Sequence, residues 1–243
     1  VNTAAIKIDQ LSKRYSGESI DSLSNVNLSI NEGDKYGILG PNGAGKTTLI
    51  SILCGILEQS SGYIHYNIEN NNIKESIGFV PQEYAFYEEL SPVQNLEYFG
   101  AMYKLTAKQT RLRTEQLLTI LGLIDVKNKK VNSFSGGMKR RMNLAIGIIH
   151  EPKILFLDEP TVGVDVQSKL AIIRFLNDLN ENGTTIIYTS HHLDEAQEFC
   201  NHISLIDHGK IIITGKTQEL LDDNDVVDLK ELLIKFTGEA LRD

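Results

Sequence analysis

From residues 1 to 35 and again from 60 to 80, apolar and polar side chains alternate, as in Ile6-Lys7-Ile8 and Tyr63-Ile64-His65-Tyr66. A period of two assigns each set to one face of a strand, which predicts an antiparallel sheet with one wet face. Predominantly apolar runs at 154–157, 186–188 and 203–206 predict parallel strands buried on both faces. Tyr36-Gly37-Ile38-Leu39 is a fourth short run of strand character. Apolar positions recur at helical spacing from Lys46 to Leu57 and along the stretch that ends at His150. Ser91-Pro92 is a helix start, a capping serine with proline at the first helical position. Thr106-Ala107-Lys108-Gln109 is a capping box for a helix that stops near Gly122, and Asp228-Leu229-Lys230-Glu231 caps a final helix expected to reach Arg242. Residues 85–150 therefore read as a mostly helical lobe between two parallel-strand halves. No internal repeat, low-complexity tract or flexible linker is evident.

At 243 residues, the chain suffices for one large α/β domain, or for a domain with a smaller lobe. No apolar run approaches the roughly 20 residues that span a bilayer, and Val1-Asn2-Thr3 does not resemble a signal peptide. The 24 basic against 32 acidic residues leave a net charge of −8, which disfavours nucleic acid as a partner. The basic runs Lys127 to Lys130 and Lys139-Arg140-Arg141 are expected to be solvated faces. Cys54 and Cys200 fall within predicted helices and read as small buried apolar residues of a reducing compartment.

The chemistry begins at Gly40-Pro41-Asn42-Gly43-Ala44-Gly45-Lys46-Thr47-Thr48, which completes the phosphate-loop pattern G-x-x-x-x-G-K-[ST]. A triphosphate needs closely packed donors, and glycine lets backbone N–H groups approach it without a Cβ in the way. Lys46 adds a point charge for the outer phosphates, and the Thr47 hydroxyl is a ligand for Mg²⁺. The loop joins a predicted strand to a predicted helix, whose positive end faces the phosphates. A second anion cradle lies some ninety residues on. In Ser133-Phe134-Ser135-Gly136-Gly137-Met138, a hydroxyl and free N–H groups open a helix. The run Ile154-Leu155-Phe156-Leu157 then delivers Asp158 to the Mg²⁺, with Glu159-Pro160 following. Two cradles and one Mg²⁺-binding aspartate suggest that the second cradle serves a different nucleotide.

These motifs, in this order, resemble those of the ATP-binding-cassette (ABC) transporter ATPases over residues 4 to 215. The resemblance implies an α/β P-loop NTPase core with a mostly parallel sheet, an N-terminal antiparallel β lobe and an inserted helical lobe. Its expected boundaries are 1–84 and 151–215 for the core with its β lobe, 85–150 for the helical lobe and 216–243 for a C-terminal helical extension. It further implies that Tyr15, in Leu11-Ser12-Lys13-Arg14-Tyr15, stacks on adenine. Gln82, in Phe79-Val80-Pro81-Gln82-Glu83, is similar to a loop glutamine that senses Mg²⁺ and water. Ser135-Gly136-Gly137 resembles the family signature, Asp158-Glu159 the metal and catalytic carboxylates, and Gly163-Val164-Asp165 a dimer-contacting loop.

His191, in Thr189-Ser190-His191-His192-Leu193, resembles the switch histidine. His192 is its rival; His191 is favoured because Leu193-Asp194-Glu195-Ala196 then follows in the family's order. The usual signature is Leu-Ser-Gly-Gly-Gln, and here Phe134 and Met138 replace its ends. Losing one neutral hydrogen bond at Met138 costs about 1 kcal/mol, enough to tune turnover without abolishing the cradle.

The implied function is the ATP-hydrolysing subunit of a transporter on the cytoplasmic side of the membrane, with ATP and Mg²⁺ as cofactors and export as the direction. The implied partners are a second cassette, identical or not, and an integral membrane subunit. The aromatic run Tyr84-Ala85-Phe86-Tyr87 is a candidate rim for a helix of that subunit. Two rivals stand against this reading: a cassette ATPase acting on DNA or ribosomes, and a pseudo-ATPase that binds without hydrolysing. The acidic balance opposes the first; the presence of Asp158, Glu159 and His191 opposes the second.

Overall fold

A computed structural model describes residues 3–68 and 72–238. Val1, Asn2 and Arg242 lie outside them, and the last helix stops at Thr237, short of the predicted Arg242, because Gly238 turns the chain at φ 70°. The chain divides into two compact units, Val1–Ile73 with Thr185–Asp243, and Lys74–Thr184.

In the first unit, β1 (Ala4–Lys13) and β2 (Leu23–Asn31) pair antiparallel. Alternation buries Ile6 and Ile8 of β1, and then slips by one residue so that Leu11 is buried. A β-bulge makes the slip: Gln10 takes a positive φ of 48°, and its N–H donates to Asn27 Oδ1 at 2.9 Å. The strand β3 (Lys35–Leu39) leads into α1 (Lys46–Leu53), and β4 (Ser61–Tyr66) pairs antiparallel with the other side of β1. The helix α1 ends four residues short of the predicted Leu57, with Cys54 as its cap, because Gly55 turns the chain at φ 70°.

The second unit takes up the chain at Lys74, within a single turn, α2 (Ile73–Ser76), that leads into β5 (Ile77–Val80). It continues with α3 (Pro92–Met102), α4 (Ala107–Ile120), α5 (Gly136–Gly147), β6 (Ile154–Asp158) and α6 (Val166–Glu181). Residues 77–80 depart from the expected antiparallel sheet: β5 pairs parallel with β6, Ile77 opposite Ile154 and Val80 opposite Leu157. The Thr106–Gln109 capping box forms as read, and Ser91, read as a cap before Pro92, forms a second box with Gln94. Lys127 to Lys130 are exposed, but the second basic run is not a solvated face. Arg140 is only 5% exposed. Helical spacing puts it, three residues after Gly137 and four before Leu144, on the buried side of α5.

The chain returns to the first unit with β7 (Thr185–Ser190), α7 (Leu193–Phe199), β8 (His202–Asp207), β9 (Lys210–Lys216), α8 (Thr217–Asp223) and α9 (Leu229–Thr237). There β3 lies between β7 and β8, parallel to both, and β9 adds an antiparallel edge beside β8. Tyr36, Ile38 and Leu39 of β3 are fully enclosed. The Tyr36 hydroxyl sits within hydrogen-bonding distance of Ser204 Oγ (2.6 Å) and Thr214 Oγ1 (2.8 Å), so its burial leaves no polar atom unsatisfied. This enclosure fixes the end of β3, from which the phosphate loop departs.

Candidate functional site

The first unit carries Tyr15, the loop 40–48 and His191. Between β3 and α1 the chain turns through Gly45, whose φ of 107° lies where side chains are strained and whose hypothetical Cβ would meet Leu23 Cδ2 and Ser22 O at 2.9 Å. The glycine is therefore required by conformation and by space. Pro41 and Ala44 are buried, Asn42 and Gly43 are exposed, and Thr47 faces outward on the first turn of α1. Lys46 is buried, and its Nζ donates to the carbonyls of Gly40 (2.8 Å) and Pro41 (3.0 Å). The ammonium thus lies across the loop. The Tyr15 hydroxyl lies 3.3 Å from Thr48 Oγ1, and Lys13 Nζ stands 5.4 Å from the centre of the Tyr15 ring.

Just past β7, the His191 and His192 rings are 4.1 Å apart. His191 is half-buried and His192 exposed. The His192 N–H donates to Ser190 Oγ at 2.8 Å, and His192 serves as N-cap residue of α7. The second histidine is thereby tied to the helix start.

The second unit carries Gln82, Ser135-Gly136-Gly137, Asp158 and Glu159. Asp158 ends β6, and both it and Glu159 are buried. Glu159 has a φ of 50°, and Pro160 follows it. A left-handed non-glycine residue costs about 1–3 kcal/mol and gathers at functional sites. Ser135 and Gly136 are exposed at the start of α5, where the Ser135 hydroxyl accepts from Met138 N at 3.3 Å. Gly137 is buried: a Cβ there would lie 2.9 Å from Ser168 Cβ and 3.0 Å from Asp165 Oδ2, with Ser168 Oγ closer still. Asp165 caps α6 by accepting from the Ser168 amide (2.9 Å) and hydroxyl (2.8 Å). Those bonds, led by the amide, hold its carboxyl below the usual carboxylate range.

Sequence reasoning missed the residues that hold Gln82. Arg140 donates from Nη1 to the Gln82 carbonyl (2.7 Å) and from Nη2 to the Val162 carbonyl (3.3 Å), and its guanidinium carbon lies 5.2 Å from the Tyr84 ring centre. Asn143 Nδ2 donates to Pro81 O at 3.0 Å, and its Oδ1 accepts from Ala85 N at 2.9 Å. Burial pulls the Arg140 pKa down, opposed by Tyr84 and Glu159. The signal that finds it is the helical period through Gly137 and Leu144. In the aromatic run, Tyr84 stacks on Phe86 at 5.2 Å and Tyr87 meets Tyr98 edge-on at 5.0 Å; Tyr84 and Tyr87 are exposed.

Residues 23–162 match the family model described as ABC transporter. The linearmycin resistance ATP-binding protein LnrL of Bacillus subtilis (strain 168) is 40% identical over 240 residues, 97% of this chain and 76% of that protein. The daunorubicin resistance ATP-binding protein DrrA3 of Streptomyces coeruleorubidus is 38% identical over 221 residues, covering 89% and 69%. Among solved structures, a dimeric post-hydrolysis state of the ATP-binding cassette MJ0796 bound to ADP and Pi superposes with a TM-score of 0.78 at 27% identity, covering 87% of this chain and 98% of that one.

Proposed function

The chain belongs to the ABC transporter family, and from that premise we propose that it powers export of a small molecule through a separate membrane subunit, paired with a second cassette. It binds and hydrolyses ATP. The observation that carries the export reading is its likeness, across 97% of its length, to a drug-resistance ATP-binding protein. No helix among the described residues is long and apolar enough to cross a membrane; the separate membrane subunit and the peripheral place at the cytoplasmic face are proposed from the likeness to relatives named as ATP-binding proteins.

The residues fit the proposed ligands. The cradle at Gly45 has no room for a Cβ, and Lys46 Nζ already lies over the loop on two carbonyls. The reading takes Lys46 from those carbonyls to the outer phosphates, with the N–H groups of 40–48 around the inner ones and Tyr15 against adenine. The Thr47 hydroxyl, Asp158 carboxylate and Gln82 side chain would hold Mg²⁺, which when bound neutralises charge on the phosphoryl oxygens. The Glu159 carboxylate takes the proton from the attacking water, and His191 orients Glu159 and that water. Ser135 and Gly136, exposed at the positive end of α5, are offered to the nucleotide of the second cassette, with Gly137 buried beneath them and the Gly163–Asp165 turn at the contact between cassettes. The exposed rim of Tyr84 and Tyr87, with Phe86, is the proposed seat for a helix of the membrane subunit.

The test is Glu159→Gln in the assembled transporter. Hydrolysis should fall about 10²- to 10⁴-fold, the worth of a general base, with ATP affinity unchanged and efflux from vesicles lost in parallel. Ordinary turnover in this variant refutes the assignment of Glu159. In wild-type vesicles loaded with ATP, so that the cassettes face the lumen, ATP-driven uptake from the bath refutes export.

A further inference from the structure

The helix α5 grips the loop after β5 with three side chains. Lys139 Nζ pairs with Glu88 Oε1 at 2.6 Å, Asn143 holds Pro81 O and Ala85 N, and Arg140 holds Gln82 O. Of these three, Arg140 also reaches the Val162 carbonyl. Val162 N in turn donates to Glu159 O at 3.3 Å, closing the turn that carries Glu159. One buried guanidinium is therefore bonded to the Gln82 loop and to the Glu159 turn, from the helix that Ser135 caps.

We propose that Arg140 is a positioning residue for ATP hydrolysis, clamping the Gln82 carbonyl to the Val162 carbonyl so that the metal-sensing loop and the Glu159 turn follow the signature helix together. A buried cation is a costly way to satisfy carbonyls. What the planar fork adds is a fixed angle between two acceptors, which a flexible lysine does not impose. The Tyr84 face flanking the guanidinium further limits its rotation. Movement of α5 against a second cassette would then reset both loops at once, linking pairing of cassettes to hydrolysis. The inference rests on the assignment of Gln82 and Glu159 to the hydrolytic site.

The experiment compares Arg140→Gln and Arg140→Lys with wild type in the full chain. Hydrogen exchange is followed without nucleotide at the amides of Ala85 and Val162, both hydrogen-bonded. In Arg140→Gln, exchange at both should quicken together by about tenfold, the effect of losing a bond to a charged group. ATP affinity should hold, while kcat falls about 10- to 100-fold, the cost of a misplaced catalytic geometry, and the Mg²⁺ concentration for half-activation rises. Arg140→Lys should recover one segment's protection and not both. The clamp is overturned if exchange changes in neither segment or in only one. It is also overturned if kcat falls only in proportion to a lost folded fraction, seen in the melting curve, with Mg²⁺ activation unmoved. Glu159→Gln, assayed alongside, separates the two readings: persisting hydrolysis there refutes the site assignment, while the paired exchange still decides the clamp.

Discussion

Gly137→Ala separates packing from nucleotide contact at the signature. If Gly137 serves only to present its N–H, alanine keeps that donor and the free protein should be as stable as wild type. The structure says otherwise, because the new methyl would enter the space of Ser168 and Asp165 Oδ2. Overpacking a tight site costs about 1–3 kcal/mol, and loosening the Asp165 cap of α6 adds ~1 kcal/mol. A total of about 2–4 kcal/mol corresponds, at roughly 2–4 °C per kcal/mol for a chain of this size, to a melting temperature lower by about 4–16 °C. Calorimetry without nucleotide reads it directly. The companion Ser168→Gly removes the side chain that the methyl strikes, at about 1 kcal/mol for helix propensity plus its own lost bond to Asp165. The double variant should therefore be more stable than the sum of the singles predicts, by about 1–2 kcal/mol of coupling. A Gly137→Ala protein melting within about 2 °C of wild type, or a strictly additive double variant, refutes the packing account.

His150 stacks on Tyr103 at 3.6 Å between ring centres, its Nε2 lies 2.9 Å from Ile77 O, and its Nδ1 is buried with no hydrogen-bond partner. Burial pushes its pKa below the ordinary 6.5, with the Arg113 charge acting the same way. The folded state then binds fewer protons than the unfolded one, so this contribution is complete above pH of about 6.5 and is lost as pH falls below it. His150→Gln should flatten that acid limb in urea midpoints measured from pH 7 to 5; an unchanged slope contradicts it. At the switch position, His191→Ala should lose hydrolysis with ATP affinity kept, whereas His192→Ala should keep both. The reverse outcome in the same assay transfers the role to His192.

What could be read in advance was local or periodic. The caps at Ser91 and Thr106 need only a hydroxyl and a glutamine three residues apart, so the sequence carries the whole interaction. The phosphate loop was legible because its glycines answer to backbone demands that no other residue meets. Arg140 was misread because a run of three cations suggests solvent, and only the helical period through Gly137 opposes that reading. Residues 77–80 were misplaced because strand pairing is a long-range choice: a four-residue run does not say whether β1 or β6 will be its neighbour. The fit of Gly137 against Ser168, thirty-one positions later in the chain, depends on the meeting of α5 with α6 and was invisible to spacing.

On the proposed reading, Lys46 gives the phosphate loop a threshold. Its ammonium already has two carbonyl acceptors, and a ligand must outbid them before gaining anything from the charge. Adenosine has nothing to offer and AMP only a single phosphate, whereas di- and triphosphates present several anionic oxygens to one cation. With Lys46 in its proposed role, the occupied lysine would act as a filter against the short nucleotides of the cell, setting selectivity by what must be displaced.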